Sequence, residues 1–266
     1  GIDDADKKFR EKHGGRSGLV AHLRGKISYL THIKGKSDPV ARSIILRFNK
    51  CFPASPIKVE PTPEEIRDRA VWVVEHDVSQ GTAFFLKDVG LVTAAHCVKG
   101  VAEVEVFHPS KLANKFKATV QQHHDHRDLA ILDHSIPETD YFDLAPASQA
   151  IATGTATTAV GYPDWAPGDF LNIRPGVVTT LTNKRGVKLI EVAQKLTQGM
   201  SGGPLLDANG AVVGIIHKGG PTEGRDFAVH IEVLDDWLEE CSRSAATEEG
   251  ILKKGPKLIR KFLHLD

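Results

Sequence analysis

The sequence predicts a mainly β protein, and three observations lead to that prediction. From about residue 70 onward, short apolar, β-branched runs alternate with Gly, Pro and Asn, the pattern of a β-sandwich or β-barrel. Apolar residues make up 41% and charged residues 26% of the 266, which excludes a disordered chain and leaves room for one large domain or a medium domain with an appendage. Helical spacing returns near the end of this region, at Ile231–Cys241.

The β-rich region is preceded by two segments of a different kind. Residues 1–52 form a predicted small helical segment, in which Val40–Phe48 has the apolar spacing of an amphipathic helix. Residues 53–68 contain several prolines and are predicted to be a linker, since closely spaced prolines prevent regular hydrogen bonding. We therefore place the main domain at 69–242 and a basic tail at 243–266.

The main domain contains eleven predicted strands. They are Val71–Val74, Thr82–Leu86, Gly90–Thr93, Val101–Phe107, Lys117–Val120, Leu129–Leu132, Ala156–Gly161, Gly176–Leu181, Leu189–Val192, Gly203–Leu206 and Val212–His217. Many short strands with Gly, Asn and Pro between them favour a β-sandwich or β-barrel.

The charge is unevenly distributed along the chain. Residues 1–52 contain twelve Lys or Arg and five Asp or Glu, a net charge of +7, so the rest of this neutral chain carries −7. A basic segment joined to an acidic body indicates that one part meets polyanions. The alternative is a basic helix that is merely solvated.

Cysteine usage and the N-terminal residues favour the cytoplasm. Cys51, Cys97 and Cys241 cannot all pair within one chain, and their spacing matches no zinc signature. The first residues lack the charged and then apolar pattern of a secretory signal, and the apolar runs are too short to span a bilayer. We therefore expect a cytoplasmic protein without membrane association.

Three segments contain the residue types of acyl-transfer chemistry. Ser201 lies in the glycine-rich run 199–203, where the amides of Gly199 and Ser201 could converge on an oxyanion. A serine nucleophile needs a base, and His96 follows an apolar strand that would deliver it to the edge of the fold. Asp128 directly precedes another apolar strand and could orient that imidazole. Taken singly, a glycine-rich serine segment is more often a turn, an isolated histidine is more often structural, and an aspartate before a strand is more often a cap or a surface charge.

Together the segments resemble the signature strings of the chymotrypsin-like serine peptidases. Thr93–Cys97 and Gly199–Pro204 carry the resemblance, which covers about residues 69–241, and Gly161-Tyr162-Pro163 is similar to the V8-like and HtrA-like branch. The resemblance implies two β-barrels with the active site in the crevice between them. It also implies that His96, Asp128 and Ser201 form a catalytic triad.

Two positions depart from the digestive members of that family. Where those enzymes have an aspartate that pairs with a new N-terminus, this chain has Met200, so activation by N-terminal insertion is not expected. The usual disulfide partner of the cysteine after the histidine is replaced by Gln80, which predicts a free thiol at Cys97.

The resemblance also indicates where substrate specificity would arise. The predicted walls of the primary pocket are Lys195, Thr197, Gln198, His217, Lys218 and Gly219. If the strand register is anchored on Gly219, His217 points into the pocket and favours an acidic or polar substrate residue. A register shifted by one residue would turn His217 to the opposite face.

No cofactor or metal ion is expected. The run His123-His124-Asp125-His126 contains metal-ligating residue types, but neighbouring side chains on a strand point in different directions and no distant ligand pair is evident. A solvated loop near Asp128 explains the run.

Residues 15–52 resemble the end of the thumb region of retron and group II intron-type reverse transcriptases. The similarity rests on Gly25–Leu30, a Lys34-Gly35 step and a closing Phe48-Asn49-Lys50. It implies contacts with RNA and DNA backbones and a polymerase partner, in a retron-type antiviral defence fusion with the peptidase as effector.

The sequence therefore predicts a serine endopeptidase that acts on protein or peptide substrates. The main alternative is a peptidase-like module that binds a protein partner while the basic arm binds nucleic acid. A periplasmic stress-type peptidase is a third hypothesis, disfavoured by the missing leader.

Overall fold

The structure is a computed structural model that describes residues 61–77, 79–218 and 225–244. The chain divides into two units, 1–60 and 61–266. The predicted basic helical segment, the first part of the predicted linker, Gly219 and the tail after residue 244 lie outside the described residues.

The described residues begin with a short helix where the sequence predicted a linker. Helix α1 spans Pro63–Ala70, and Thr62 and Glu65 cap it reciprocally through side chain and backbone. Pro63 occupies the first helical turn, where a missing N–H removes no internal hydrogen bond. The linker prediction for 63–68 was therefore wrong, because proline at a helix start was taken as a helix breaker.

Twelve strands of the described residues close into two antiparallel barrels. The first barrel contains β1 Val71–His76, β2 Ser79–Leu86, β3 Gly90–Thr93, β4 Glu103–Phe107, β5 Lys115–His124 and β6 Leu129–His134. The second contains β7 Ala156–Gly161, β8 Asn172–Lys184, β9 Val187–Val192, β10 Pro204–Leu206, β11 Val212–Lys218 and β12 Asp226–His230. All eleven predicted strands are present, and β12 was missed.

The continuous apolar runs of the first barrel are explained by burial on both faces. Side chains alternate across a strand, so Trp72 and Val74 pack with the interior of the first barrel. Val71 and Val73, on the opposite face of the strand, pack in a cluster that contains residues of both barrels, including Tyr162. This shared apolar layer joins the barrels and positions the loops at their junction.

A helix over residues 231–244, α2, follows β12. Its buried side chains Ile231, Leu234 and Trp237 join the same shared cluster. Arg127, next to Asp128, forms a two-pronged ion pair with Glu240 of this helix, with N–O distances of 2.9 and 2.7 Å. The helix therefore supports the loop that carries Asp128. In the part of the chain described, no helix is long and apolar enough to span a membrane.

Candidate active site

His96 lies in a 3₁₀ turn, Ala95–Val98, that follows β3. Ala94 and Ala95 are fully or almost fully buried, so these small residues let the turn lie close against the barrel. The imidazole itself remains 41% exposed. The turn thus anchors the backbone of His96 in the barrel while its ring stays accessible to a substrate.

Asp128 ends the loop between β5 and β6 and is buried, with 6% exposure. Its backbone has φ +55°, in the left-handed region that aspartate tolerates better than most residues. Its carboxylate accepts hydrogen bonds from the backbone N of His96 at 2.9 Å, from Nδ1 of His96 at 2.7 Å and from Nδ1 of His217 at 2.5 Å. Burial alone would raise the pKa of this carboxyl, but hydrogen bonds from His217 and His96 outweigh it and lower the pKa to about 2.

The contact with Asp128 fixes the orientation of the His96 imidazole. Because Nδ1 is bound to the carboxylate, Nε2 is the nitrogen left to exchange a proton with a reacting group. Burial lowers the pKa of His96, but the hydrogen bonds to Asp128 and to Cys97 outweigh it, so the pKa lies above the ordinary value of 6.5. His96 and Asp128 together form an imidazole–carboxylate pair suited to general acid–base chemistry.

Ser201 lies in a turn whose conformation depends on two glycines. Gly199 has φ +85° and Gly202 has φ +82°, values that favour glycine. A Cβ at Gly202 would also overlap the carbonyl oxygen of Thr82 and the hydroxyl of Thr93. The turn is therefore held against the first barrel at a separation that only glycine permits.

Only some backbone amides of this turn donate hydrogen bonds to backbone carbonyls. The amides of Met200, Gly202 and Gly203 donate to carbonyls within or beside the turn, at 3.1, 2.8 and 3.0 Å. Those of Gly199 and Ser201 have no backbone acceptor among the described residues. These two amides are the pair that an oxyanion hole needs.

Thr82 connects the Ser201 turn to the first barrel. Its backbone N donates to the carbonyl of Ser201 at 2.8 Å, and its hydroxyl donates to the carbonyl of Gly199 at 2.7 Å. The same hydroxyl accepts from the backbone N of Tyr162 at 3.0 Å. The sequence offered one signal for this residue, a single hydroxyl in an apolar strand, and sequence analysis did not use it.

Ser201 is also joined to the turn that carries His96. The thiol of Cys97 lies 3.5 Å from the carbonyl oxygen of Ser201. Cys97 forms no disulfide, as predicted from Gln80 at the position of the usual partner cysteine. Within the described residues, no hydrogen bond joins the Ser201 hydroxyl to His96. In substrate-free sites such bonds are commonly long and shorten when substrate binds.

The contact of His217 with Asp128 corrects the register anchored on Gly219. A β-bulge lies between Ile216 and Lys218, so His217 is the extra residue that has no partner in β12. A bulge changes the direction of the local side chains. The imidazole of His217 is therefore directed at the carboxylate of Asp128, and not into the primary pocket as that register predicted.

Three of the other predicted specificity residues, Lys195, Thr197 and Gln198, lie on the segment between β9 and the Ser201 turn. Lys195 and Gln198 are exposed and Thr197 is half-buried, with a hydroxyl that is buried and has no partner in the described part of the chain. The carbonyl of Lys195 accepts a hydrogen bond from Arg174 at 2.7 Å. The backbone of Lys218 ends β11.

Met200 is fully buried in the apolar cluster of the second barrel. The site therefore has an apolar side chain where a carboxylate would be needed to pair with a cleaved N-terminus.

Only one group of described residues could hold a metal ion by proximity, and it coincides with this site. Ligand atoms of His96, Asp128 and His217 lie within 4.8 Å of one another. Both imidazoles already donate hydrogen bonds to the Asp128 carboxylate, so a cation would have to replace those bonds. The predicted solvated loop is only partly present, because His123 and His124 end β5 and the loop begins at Asp125. His123 lies 3.9 Å from Asp125, and His126 bonds to the carbonyl of Arg185.

Comparison with known proteins agrees with this geometry. Serine protease Rv3671c of Mycobacterium tuberculosis is 26% identical over 193 residues, which cover 67% of this chain and 47% of that protein. A probable periplasmic serine endoprotease, DegP-like, of Hahella chejuensis is 28% identical over 185 residues, 65% of this chain and 38% of that one. The chain thus spans less than half of these curated relatives.

A solved structure shows the same likeness. The Rv3671c protease in an inactive form superposes with a TM-score of 0.56 at 25% identity, over 65% of this chain and 89% of that one. The model of the trypsin-like peptidase domain matches residues 81–215, just over half of the chain. With its two barrels and the signature strings around His96 and Ser201, the chain belongs to the trypsin-like serine peptidase family.

Proposed function

We propose that the chain is a serine endopeptidase in which Ser201 is the nucleophile. In this proposal His96 accepts the Ser201 proton through Nε2 as Oγ attacks the peptide carbonyl carbon. Asp128 stabilises the imidazolium that forms. The observation that carries the proposal is the buried Asp128 carboxylate bonded to both the backbone N and Nδ1 of His96.

The remaining steps use the same groups. The tetrahedral oxyanion accepts hydrogen bonds from the amides of Gly199 and Ser201, whose lack of backbone acceptors supports this role. His96 then donates its proton to the leaving amine, and an acyl-enzyme ester remains on Ser201. Water, deprotonated by His96, hydrolyses that ester and regenerates the serine.

Labelling with a fluorophosphonate tests the proposal directly. We expect one covalent adduct, located on Ser201 by peptide mass spectrometry, and none in a Ser201→Ala variant. A His96→Ala variant should label far more slowly, because the hydroxyl then has no base. An unlabelled Ser201 in the full chain, with and without nucleic acid, would contradict the proposal and favour the alternative of a peptidase-like binding module.

We further propose that this peptidase is the effector of a retron-type antiviral defence fusion and acts in the cytoplasm. The support for the fusion is the resemblance of residues 15–52 to a reverse transcriptase thumb and the +7 charge of residues 1–52. The buried free thiol of Cys97 fits a reducing compartment. The test compares cleavage rates of the full chain with and without the polymerase and its RNA–DNA product. Identical rates would contradict regulation by the nucleic-acid-bound polymerase.

A further inference from the structure

A basic pocket of about 330 Å³ lies beside the Asp128 carboxylate. It is open to solvent and is bounded by the loop that precedes Asp128 in the first barrel and by the β8–β9 hairpin of the second. The Nε2 atom of His126 in the loop lies 2.9 Å from the carbonyl oxygen of Arg185 in the hairpin. The pocket-lining residues that can carry positive charge are His126, Arg127, Lys184, Arg185 and His217.

Positive charge in this pocket is only partly neutralised. Arg127 is paired with Glu240, and the Nζ atom of Lys184 lies 4.0 Å from the centre of the Phe227 ring. His217 is paired with Asp128, and the pKa of Glu191 is lowered by its hydrogen bond from Arg225 and, less strongly, by the charge of Lys184. Within the described residues, however, neither Lys184 nor Arg185 has a carboxylate within 4.0 Å, and no carboxylate lines the pocket. An anion that enters would therefore gain charge-assisted contacts with side chains that have not already formed an ion pair.

The pocket adjoins the catalytic groups through His217. The same imidazole lines the pocket and bonds to Asp128, and its ring centre lies 6.3 Å from that of His96. An extended peptide advances by about 3.3 Å per residue. A side chain two or three residues from the reacting carbonyl can therefore reach the pocket.

We propose that this basic pocket binds an acidic side chain of the peptide substrate, within a few residues of the cleaved bond. The inference rests on the proposed peptidase function and names the substrate class of that same site. The rest of the pocket wall is aliphatic, formed by Val187, Leu189 and Val229, and suits the methylene groups of Glu or Asp. A nucleic acid backbone is instead bound by extended basic stripes. The sequence also predicted a preference for an acidic substrate residue, but from the walls of the primary pocket; in this proposal the preference comes from the basic pocket with Lys184 and Arg185.

The test uses pairs of fluorogenic peptides that differ only by Glu or Gln at one position near the cleaved bond. At one such position we expect kcat/KM of the full chain to be about tenfold higher for Glu, and the ratio to fall at high salt as charges are screened. In a Lys184→Gln/Arg185→Gln variant the ratio should fall below about threefold. The matched control is Lys117→Gln, since Lys117 pairs with Glu103 on the first barrel outside the pocket. The control should keep the wild-type ratio.

A binding measurement separates this inference from the proposed function. Fluorescence anisotropy of the same peptides with a Ser201→Ala variant needs no turnover, and the Glu peptide should bind about tenfold more tightly. Equal cleavage of both peptides by the wild-type chain would overturn the inference and leave the peptidase intact. If no peptide is cleaved and Ser201 does not label, the proposed function fails. The ratio of the two affinities from anisotropy then shows by itself whether the pocket binds an acidic side chain. A labelled oligonucleotide that loses affinity in the double variant, with equal binding of both peptides, would assign the pocket to nucleic acid instead.

Discussion

The two barrels contribute to the site in different ways. The first barrel holds His96 and Asp128 together by direct hydrogen bonds between its own residues. The second barrel presents Ser201 on a glycine-rich turn whose outward contacts cross to Thr82 of the first barrel. The acid–base pair can therefore form within one barrel, whereas the position of the nucleophile depends on both barrels packing correctly.

The difference in burial agrees with this division. The Asp128 carboxylate is shielded and fully bonded, so its geometry is fixed before substrate arrives. Ser201 is half-buried, and its backbone, more than its side chain, is held in place. Substitutions next to the Asp128 carboxylate, in either barrel, should therefore change the chemistry of the His96 imidazole, while those where the Ser201 turn meets Thr82 should change the position of the serine.

The largest expected effect comes from removing either half of the catalytic pair. Ser201→Ala and His96→Ala should each lower kcat by roughly five to six orders of magnitude, because neither group works without the other. The double variant should lose no more than either single variant. Initial rates on a fluorogenic peptide give the three values, with circular dichroism as the control for folding. Losses that multiply in the double variant would show that the two residues act independently.

A smaller effect is expected where the Ser201 turn meets the first barrel. Gly202 and Gly210 have nearly the same backbone, φ +82° and +80°, but only Gly202 has atoms within reach of an added Cβ. Gly210→Ala should cost about 1 kcal/mol of unfolding free energy from its backbone conformation alone. Gly202→Ala should cost at least about 2 kcal/mol more, because its methyl group overlaps Thr82 and Thr93.

Urea denaturation measures both free energies, and peptide cleavage by the folded fraction provides a second measurement. Gly202→Ala should also reduce activity, since the turn must move away from Thr82, whereas Gly210→Ala should not. An equal loss of unfolding free energy for the two substitutions would contradict the prediction, because it would mean that the Ser201 turn can move away from Thr82 and Thr93 at little cost.

Sequence analysis predicted the strands and the helix because each is a local pattern. Apolar runs such as Val71–Val74 are bounded by turn residues, and Ile231–Cys241 has helical spacing. It missed β12, Asp226–His230, although turn-forming residues precede it, because its apolar run of Phe227, Ala228 and Val229 is too short to show a strand period. Short motifs with strong chemical constraints, around His96 and Ser201, identified the candidate site.

The direction of His217 and the basic pocket could not be predicted from the sequence, because both depend on contacts between segments that are distant along the chain. The direction of His217 follows from a bulge in the β11–β12 pairing, and a register anchored on Gly219 gave the wrong face. The basic pocket combines a loop of one barrel with a hairpin of the other, and each basic residue alone is an ordinary surface residue. Both features require the three-dimensional register of the barrels.

The smallest expected effect is a shift in the pH profile when His217 is replaced. It tests whether His217 positions and tunes the Asp128–His96 pair or only stabilises the fold. Activity requires neutral His96, so kcat/KM falls as pH drops through the pKa of His96, which Asp128 holds above 6.5. His217→Ala removes one donor from the Asp128 carboxylate, which then interacts more strongly with the imidazolium of His96. The pKa of His96 should rise further, and the acid limb of the pH profile should move to higher pH by about half a unit.

The conservative variant is the control for this prediction. His217→Asn keeps a donor near Asp128, so its acid limb should lie closer to that of the wild type. A purely structural role for His217 would lower kcat in both variants without moving the limb. A shift to lower pH in His217→Ala would contradict the prediction, because it would mean that the hydrogen bond at 2.5 Å strengthens the His96–Asp128 interaction and does not compete with it.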